Sequence, residues 1–266
     1  MTLLRDWWSD RRARRLLAEP AASGAAPSGV DMGALLAQIR RQSFAVVPDF
    51  YTAAECARLR AEVDRVMSEH PQCVRVDRVG ADHRLFGAEH GSAAIAAFHG
   101  DPFAHGIAEA YFGGRIVNLA TLAGRLEARQ GNSGSGQGWH RDAFHFQFKS
   151  IIYLSDVGPE NGPFQIVVGS HRLPWLVHDT LRFALDPRNS RLADAAAERV
   201  IASRPRRLRT VTAPAGTLLL IDTSAIHRGS PIRQGVRYAL TNYVYPTYRV
   251  GETLLQNLEP MLKPAG

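Results

Sequence analysis

Lysine is nearly absent from this sequence. Of 32 basic residues only Lys149 and Lys263 are lysine, and the other thirty are arginine. The skew reads mainly as genome composition. Cysteine is almost as scarce: Cys56 and Cys73 stand alone, with no C-x-x-C. A disulfide scaffold is thereby excluded and a reducing compartment is the default. Both cysteines read as small buried hydrophobes. Long apolar runs are missing too. The longest, such as Leu218–Ile221, are strand-sized, far short of the roughly 18 residues of a spanning helix. The start, MTLLRDWWSDRRARR, has no apolar h-region, so no secretory signal is expected. The expected location is cytoplasmic. The Gly-rich stretch 131–138 carries no lysine, which excludes a P-loop.

What remains is ordinary for a folded chain. In 266 residues, 45% are hydrophobic and 21% charged, enough for a sizeable core. The formal charge is +7, which favours anionic partners without choosing among them. Residues 1–30 read as a basic segment and linker, and 31–266 as a single domain. Trp7, Trp8, Leu16 and Leu17 beside Arg11, Arg12, Arg14 and Arg15 allow a peripheral membrane contact. The plainer reading is a terminal helix packed on its own domain or a solvated end.

Start and stop signals punctuate the first half. Residues 34–42 predict a short amphipathic helix and FAVVPDF a short strand. Thr52-Ala-Ala-Glu55 is a capping box, and Cys56, Leu59, Val63, Val66 and Met67 follow at helical spacing. Asp101-Pro102 opens another helix, with proline in the first turn, and Gly113-Gly114 closes it. From about Arg115 the texture changes to short β-prone runs between Gly, Pro and Asn turns. That pattern predicts a mainly β sandwich or barrel with flanking helices. Residues 172–210 interrupt it with a long excursion. It is expected to hold one short helix near Asp194–Val200 and to end in the solvated basic run Arg204–Arg209.

The chemistry concentrates in GQGWHRDAFHF, residues 136–146. On a strand, side chains alternate faces, so His140 and Asp142 would share one face about 7 Å apart. An imidazole and a carboxylate converging there make two thirds of a 2-His-1-carboxylate site. His227, just past the apolar strand GTLLLID, is the candidate third ligand. Such a set holds Fe(II) on one face and leaves three positions open for an oxo-acid cosubstrate and O2. A dicarboxylate cosubstrate also needs a fixed cation for its far end, a task that suits the planar fork of arginine. Arg237 stands ten residues after His227.

Three segments, GWHRD, YLSDVGPENGPFQIVVGSHR and IHRGSPIRQGVRYALTNYV, resemble the phytanoyl-CoA dioxygenase family of Fe(II)- and 2-oxoglutarate-dependent oxygenases. The resemblance covers roughly residues 40–250. It implies a double-stranded β-helix, the cupin-like jelly roll. It implies His140, Asp142 and His227 as metal ligands and Arg237 as the 2-oxoglutarate clamp, with Fe(II), 2-oxoglutarate and O2 as cofactor and cosubstrates. Asn161-Gly162 and Gly169-Ser170-His171 match the family's turns. Two positions depart from its pattern. Ile151 stands where many members carry an aromatic, and Gly229 stands where a hydroxyl residue often touches the cosubstrate, with Ser230 next. Related halogenases have Ala or Gly in place of Asp142, so its presence argues for hydroxylation.

The remaining candidates are weaker. Arg125 could reach the cosubstrate, and Gln137 and Trp139 could form pocket walls. The stretch 131–138 reads as a flexible loop beside the iron site. His145 reads as packing, His171 as structural, and His178 as a minor candidate for substrate contact. The substrate expected is anionic: a glycolipid or sugar acid, an acyl-CoA or a carrier-bound acyl group. Alternatives are a small secondary metabolite or amino acid, or a non-catalytic jelly-roll binding module. No nucleic-acid partner is expected, and the oligomeric state is not legible.

Overall fold

The computed structural model describes residues 27, 29–144, 147–186, 189–250, 256 and 258–264. The basic N-terminus of 1–26, and His145, lie outside the described residues. Four helices precede most of the strands: α1 (Met32–Gln42), α2 (Ala53–Glu69), α3 (Ala93–His99) and α4 (Pro102–Phe112). Their ends are written locally. Thr52 and Glu55 form the reciprocal capping box on α2, worth about 1 kcal/mol at such positions. Asp101 caps α4, and Gly113 ends it in the left-handed region, where a residue without Cβ is at ease.

The strands are β1 (Phe44–Val47), β2 (Val74–Val76), β3 (Asp82–Leu85), β4 (Ile116–Glu127), β5 (Phe148–Tyr153), β6 (Phe164–Val167), β7 (Leu208–Val211), β8 (Leu218–Asp222), β9 (His227–Gly229) and β10 (Val236–Pro246). Seven form one sheet in the order β1-β8-β5-β10-β4-β3-β2, and three form a second, β7-β6-β9. All pairings are antiparallel. The result is the expected jelly roll with buttressing helices.

Strand parity sorts the large sheet into two faces. Leu85, Ala123, Leu240, Ile152 and Leu218 point outward and join Leu59, Val63, Phe98 and Ile107 of the helices in the main core. On the inward face, Tyr153, Ile151, Leu219 and Ile221 meet Phe164, Ile166 and Val211 of the small sheet. Toward the β3–β4 end this inner layer opens into a cavity of about 200 Å³.

Two expectations need correction. Residues 128–144 do not form a strand around His140; they make a long loop whose contacts there are isolated bridges to His227 and Arg191. The excursion holds two helices, α5 (Leu173–Arg182) and α6 (Asp194–Ser203), rather than one. Pro174 sits in the first turn of α5, where its missing N–H leaves no bond unmade.

Candidate active site

The cavity wall follows from sheet register. Across the inner face lie Asp82, Leu126 and Arg237, then Arg84, Gly124, Ala239 and Tyr153, then Leu122, Thr241 and Ile151, then Tyr243 and Lys149. All line the cavity. Gly124 has no side chain and Ala239 a small one, and so the sheet surface is hollow beside Arg84. His140, Asp142, Thr223 and His227 close the opposite side.

His140 and Asp142 reach this place through main-chain bonds of the loop. His140 and His227 exchange N–H···O bonds, each 2.9 Å, and the Asp142 N–H donates to Thr223 O at 3.0 Å. Between them Arg141 is 2% exposed and donates to the carbonyls of Ser170 and Ser224. One buried guanidinium thus ties the His-x-Asp segment to two other loops. Burial pushes its pKa down to about 10, opposed by Asp179 and Asp222, so it stays charged at neutral pH.

The three side chains form the one His/Cys/Asp/Glu cluster with metal-binding geometry among the described residues, their ligand atoms all within 4.8 Å. His140 Nε2 lies 3.6 Å from Asp142 Oδ1, and His227 Nε2 lies 3.7 Å from Oδ2. Each Nδ1 faces a main-chain carbonyl, Gly138 O at 2.8 Å and Ala225 O at 2.9 Å. A carbonyl only accepts, so each Nδ1 carries the proton and each Nε2 lone pair turns inward. Burial, then the neighbouring His140, pushes His227 down to about 3, so it stays neutral. Burial opposes ionisation of Asp142, but the Lys149 ammonium at 2.6 Å outweighs it. Its carboxyl is held well below the usual range. Two neutral imidazoles and one carboxylate fit a divalent ion with open positions.

Gly136 makes this packing possible. Its φ is +88°, and a Cβ there would lie 2.5 Å from His140 Cε1. The loop expected to be flexible is pinned: Gly229 donates to Ser135 O at 3.0 Å, Gln137 to Gly134 O at 3.1 Å, and Arg191 to Gly136 O.

Arg237 is 8% exposed and donates to Gly162 O, so the Asn-Gly turn fixes its direction. Ser230 donates to Pro163 O at 2.9 Å and is thus engaged by the chain itself, while Gly229 lines the cavity. No hydroxyl replaces the family's usual one at that spot. Thr241, on the sheet opposite, brings a different hydroxyl into the cavity.

Other expectations fail on contact. Arg125 borders the cavity, as expected of a residue within reach of the cosubstrate, but its guanidinium is ion-paired with Asp64 at 3.3 Å and with Glu127. Trp139 packs with Val167 and Ile226 under Arg228 instead of lining the cavity, and Gln137 does not line it either. His178 turns to Asp179 at 3.1 Å, away from the site. Arg204 is not solvated. It bonds the fully buried Asp179 and stacks on Trp175, whose ring Arg207 also covers. His171 bonds Arg40 O at 3.1 Å, a structural contact. Sequence reasoning missed Lys149, Tyr243, the Asp82–Arg84 pair and Arg191. The period-2 rule on KSIIY places Lys149 on one face with Ile151 and Tyr153, and could have found it. Asp82 and Arg84, on a four-residue strand far upstream, carried no such signal.

Comparison with known proteins agrees with this geometry. Residues 39–237 match the phytanoyl-CoA dioxygenase family model. The chain is 28% identical over 241 residues to the ectoine dioxygenase of Halomonas elongata, covering 83% of this chain and 69% of that enzyme. It is 26% identical over 153 residues to the ectoine dioxygenase of Stutzerimonas stutzeri, covering 52% of this chain and only half of that enzyme's length. Among solved structures, the epimerase SnoN in complex with Fe3+, alpha ketoglutarate and nogalamycin RO superposes with a TM-score of 0.62 at 21% identity, covering 88% of this chain and 93% of SnoN. The family match takes in the His-x-Asp, the distal histidine and Arg237 in one span. The chain belongs to the phytanoyl-CoA dioxygenase family, whose members are Fe(II)- and 2-oxoglutarate-dependent oxygenases that consume O2.

Proposed function

We propose that this chain hydroxylates an anionic small molecule, or the anionic end of a larger one, with His140, Asp142 and His227 holding the iron and Arg237 the far carboxylate of 2-oxoglutarate. The observation that carries the substrate class is the charge around the cavity. Arg84, Arg125, Lys149, Arg191 and Arg237 line it against Asp82 and Asp142, and Arg125 is already paired with Asp64 and Glu127. Lys149 pairs with Asp142 at 2.6 Å and Arg84 with Asp82 at 2.5 Å. A divalent cation and a dianionic cosubstrate cancel each other. With the cosubstrate seated the cavity still has positive charge to spare, and Arg191 brings it to the mouth.

Iron(II) with 2-oxoglutarate and O2 supplies the oxidising power for C–H hydroxylation, giving succinate and CO2 alongside the product. The protein's part is position. Arg237, itself 8% exposed, offers two parallel N–H donors to a carboxylate. Leu122, Ile151 and Ala239 provide apolar walls for the carbon skeleton. Arg191, held by Gly136 O, keeps a cation beside the His140 loop for the substrate's charge. The cavity of about 200 Å³, open at its mouth, suits the cosubstrate plus a compact group of the substrate. The ectoine dioxygenases among the relatives are consistent with a small-molecule substrate. No helix among the described residues is long and apolar enough to cross a membrane.

Anaerobic addition of Fe(II) and then 2-oxoglutarate should produce the visible charge-transfer band of the chelate. His140→Ala should abolish it. Arg237→Ala should weaken 2-oxoglutarate binding about 10–100-fold, the scale of a lost charged hydrogen-bond pair of about 1.5–3 kcal/mol. A folded wild-type chain without the band would sink the iron reading. The substrate class is checked by succinate release over matched acids and their neutral methyl esters. The acids should stimulate turnover at least about tenfold more, again on the energy of one charged hydrogen bond. Equal stimulation by esters would overturn it.

A further inference from the structure

Lys149 is buried at 7% exposure in the cavity wall. Its Nζ lies 2.6 Å from Asp142 Oδ2 and 4.2 Å from the ring centre of Tyr243, directly opposite on β10. Tyr243 is itself braced edge-on by Phe86 at 5.3 Å. The ammonium is therefore wedged between an aromatic face and the carboxylate of the candidate metal site. In a chain that uses arginine thirty times, this buried cation is one of two lysines. The other, Lys263, is exposed and pairs with Glu259 at 2.9 Å.

The chemical difference matters at this spot. An ammonium is a point charge that meets one carboxylate oxygen. A guanidinium is a fork that takes both. A fork on both oxygens takes the inward lone pair of each and leaves a metal only the outward, weaker ones. A carboxylate held by neither is free to chelate with both. Chelation would fill one of the three positions that the cosubstrate and O2 require.

We propose that Lys149 is a positioning residue that occupies one oxygen of Asp142 and so enforces one-oxygen coordination, keeping three metal positions open. This rests on the metal-site reading above. Lys149 acts through Asp142, and its size and single charge are the property in use.

The test is anaerobic Co(II) titration, followed by 2-oxoglutarate, on the wild-type chain, Lys149→Met, Lys149→Arg and the control Lys263→Met. Lys149→Met should bind Co(II) at least as tightly as wild type. Its d–d spectrum should shift toward higher coordination number, and its affinity for 2-oxoglutarate should fall about 10–100-fold, the scale for partners of metal ligands. Lys149→Arg keeps the charge and should lose Co(II) affinity by a similar 10–100-fold. Lys263→Met should match wild type. A wild-type spectrum and unchanged 2-oxoglutarate affinity in Lys149→Met would overturn the proposal. Wild-type Co(II) affinity in Lys149→Arg would overturn it too. Equal loss of Co(II) in both variants with equal loss of thermal stability would reduce Lys149 to a packing residue, and also overturns it. If Lys149→Met does not fold, the Arg variant carries the comparison. Failure of wild type itself to bind Co(II) would instead remove the metal-site reading on which the proposal stands.

Discussion

An Asp142→Ala chain is expected to lose metal binding and, with no metal present, to unfold more easily than its parent. The second half is the informative one. Removing a carboxylate from a metal site commonly relieves repulsion in the metal-free state. Here Asp142 has a cation at 2.6 Å, and the partner side chain is only 8% exposed. Truncation leaves the Lys149 ammonium buried without its counter-charge. Breaking a buried pair from one side costs about 3–5 kcal/mol. Urea unfolding in the presence of a chelator measures it. Asp142→Ala/Lys149→Met should recover most of the loss, because replacing both partners removes the stranded charge. An Asp142→Ala chain as stable as its parent would mean that the pair contributes nothing.

Gly136→Ala should disarm the site without touching a ligand. Two effects add. The φ of +88° suits glycine, and a side chain there costs on the order of 1–2 kcal/mol. The new Cβ would also meet His140 Cε1 at 2.5 Å. The imidazole cannot swing away freely, since Nδ1 is held by Gly138 O and its main chain by His227. Co(II) affinity should therefore drop by at least about tenfold, as when a ligand's orientation is lost. Gly131→Ala is the control. Its φ is +78°, but its nearest neighbour is Val79 Cγ1 at 3.9 Å. It should lose stability and keep its metal affinity. If both variants bind Co(II) equally well, the close approach to His140 has no functional weight.

Much of the secondary structure was legible because its signals are local. The capping box at Thr52–Glu55, the Asp101-Pro102 start and the Gly113 stop each act within one turn, and each stands where expected. The excursion shows the limit of that logic. Pro174 reads as a breaker or as the first turn of a helix, and only packing of Leu176 and the buried Asp179 decides for α5. The basic run at Arg204 failed for the same reason. A charged residue reads as solvated until its partner, 25 positions upstream, is placed beside it.

Residue order carries the succession of chemistry along the chain: His-x-Asp, an Asn-Gly turn, a distal histidine, then an arginine, within a series of short strands. Residue types and spacings carry that much, and the family resemblance draws on nothing else. It could not place His140 and Asp142 correctly. Their convergence comes from main-chain bonds to His227 and Thr223, not from strand parity. The tertiary structure alone decided which strands are neighbours, and therefore that Lys149 of β5 faces Tyr243 of β10 and that Arg84 reaches the cavity past Gly124. Those contacts join residues some 40 to 95 positions apart. Alternation along a strand says which face a side chain takes. It is silent on what stands opposite, because pairing is set by burial of the whole sheet between helices and the second sheet.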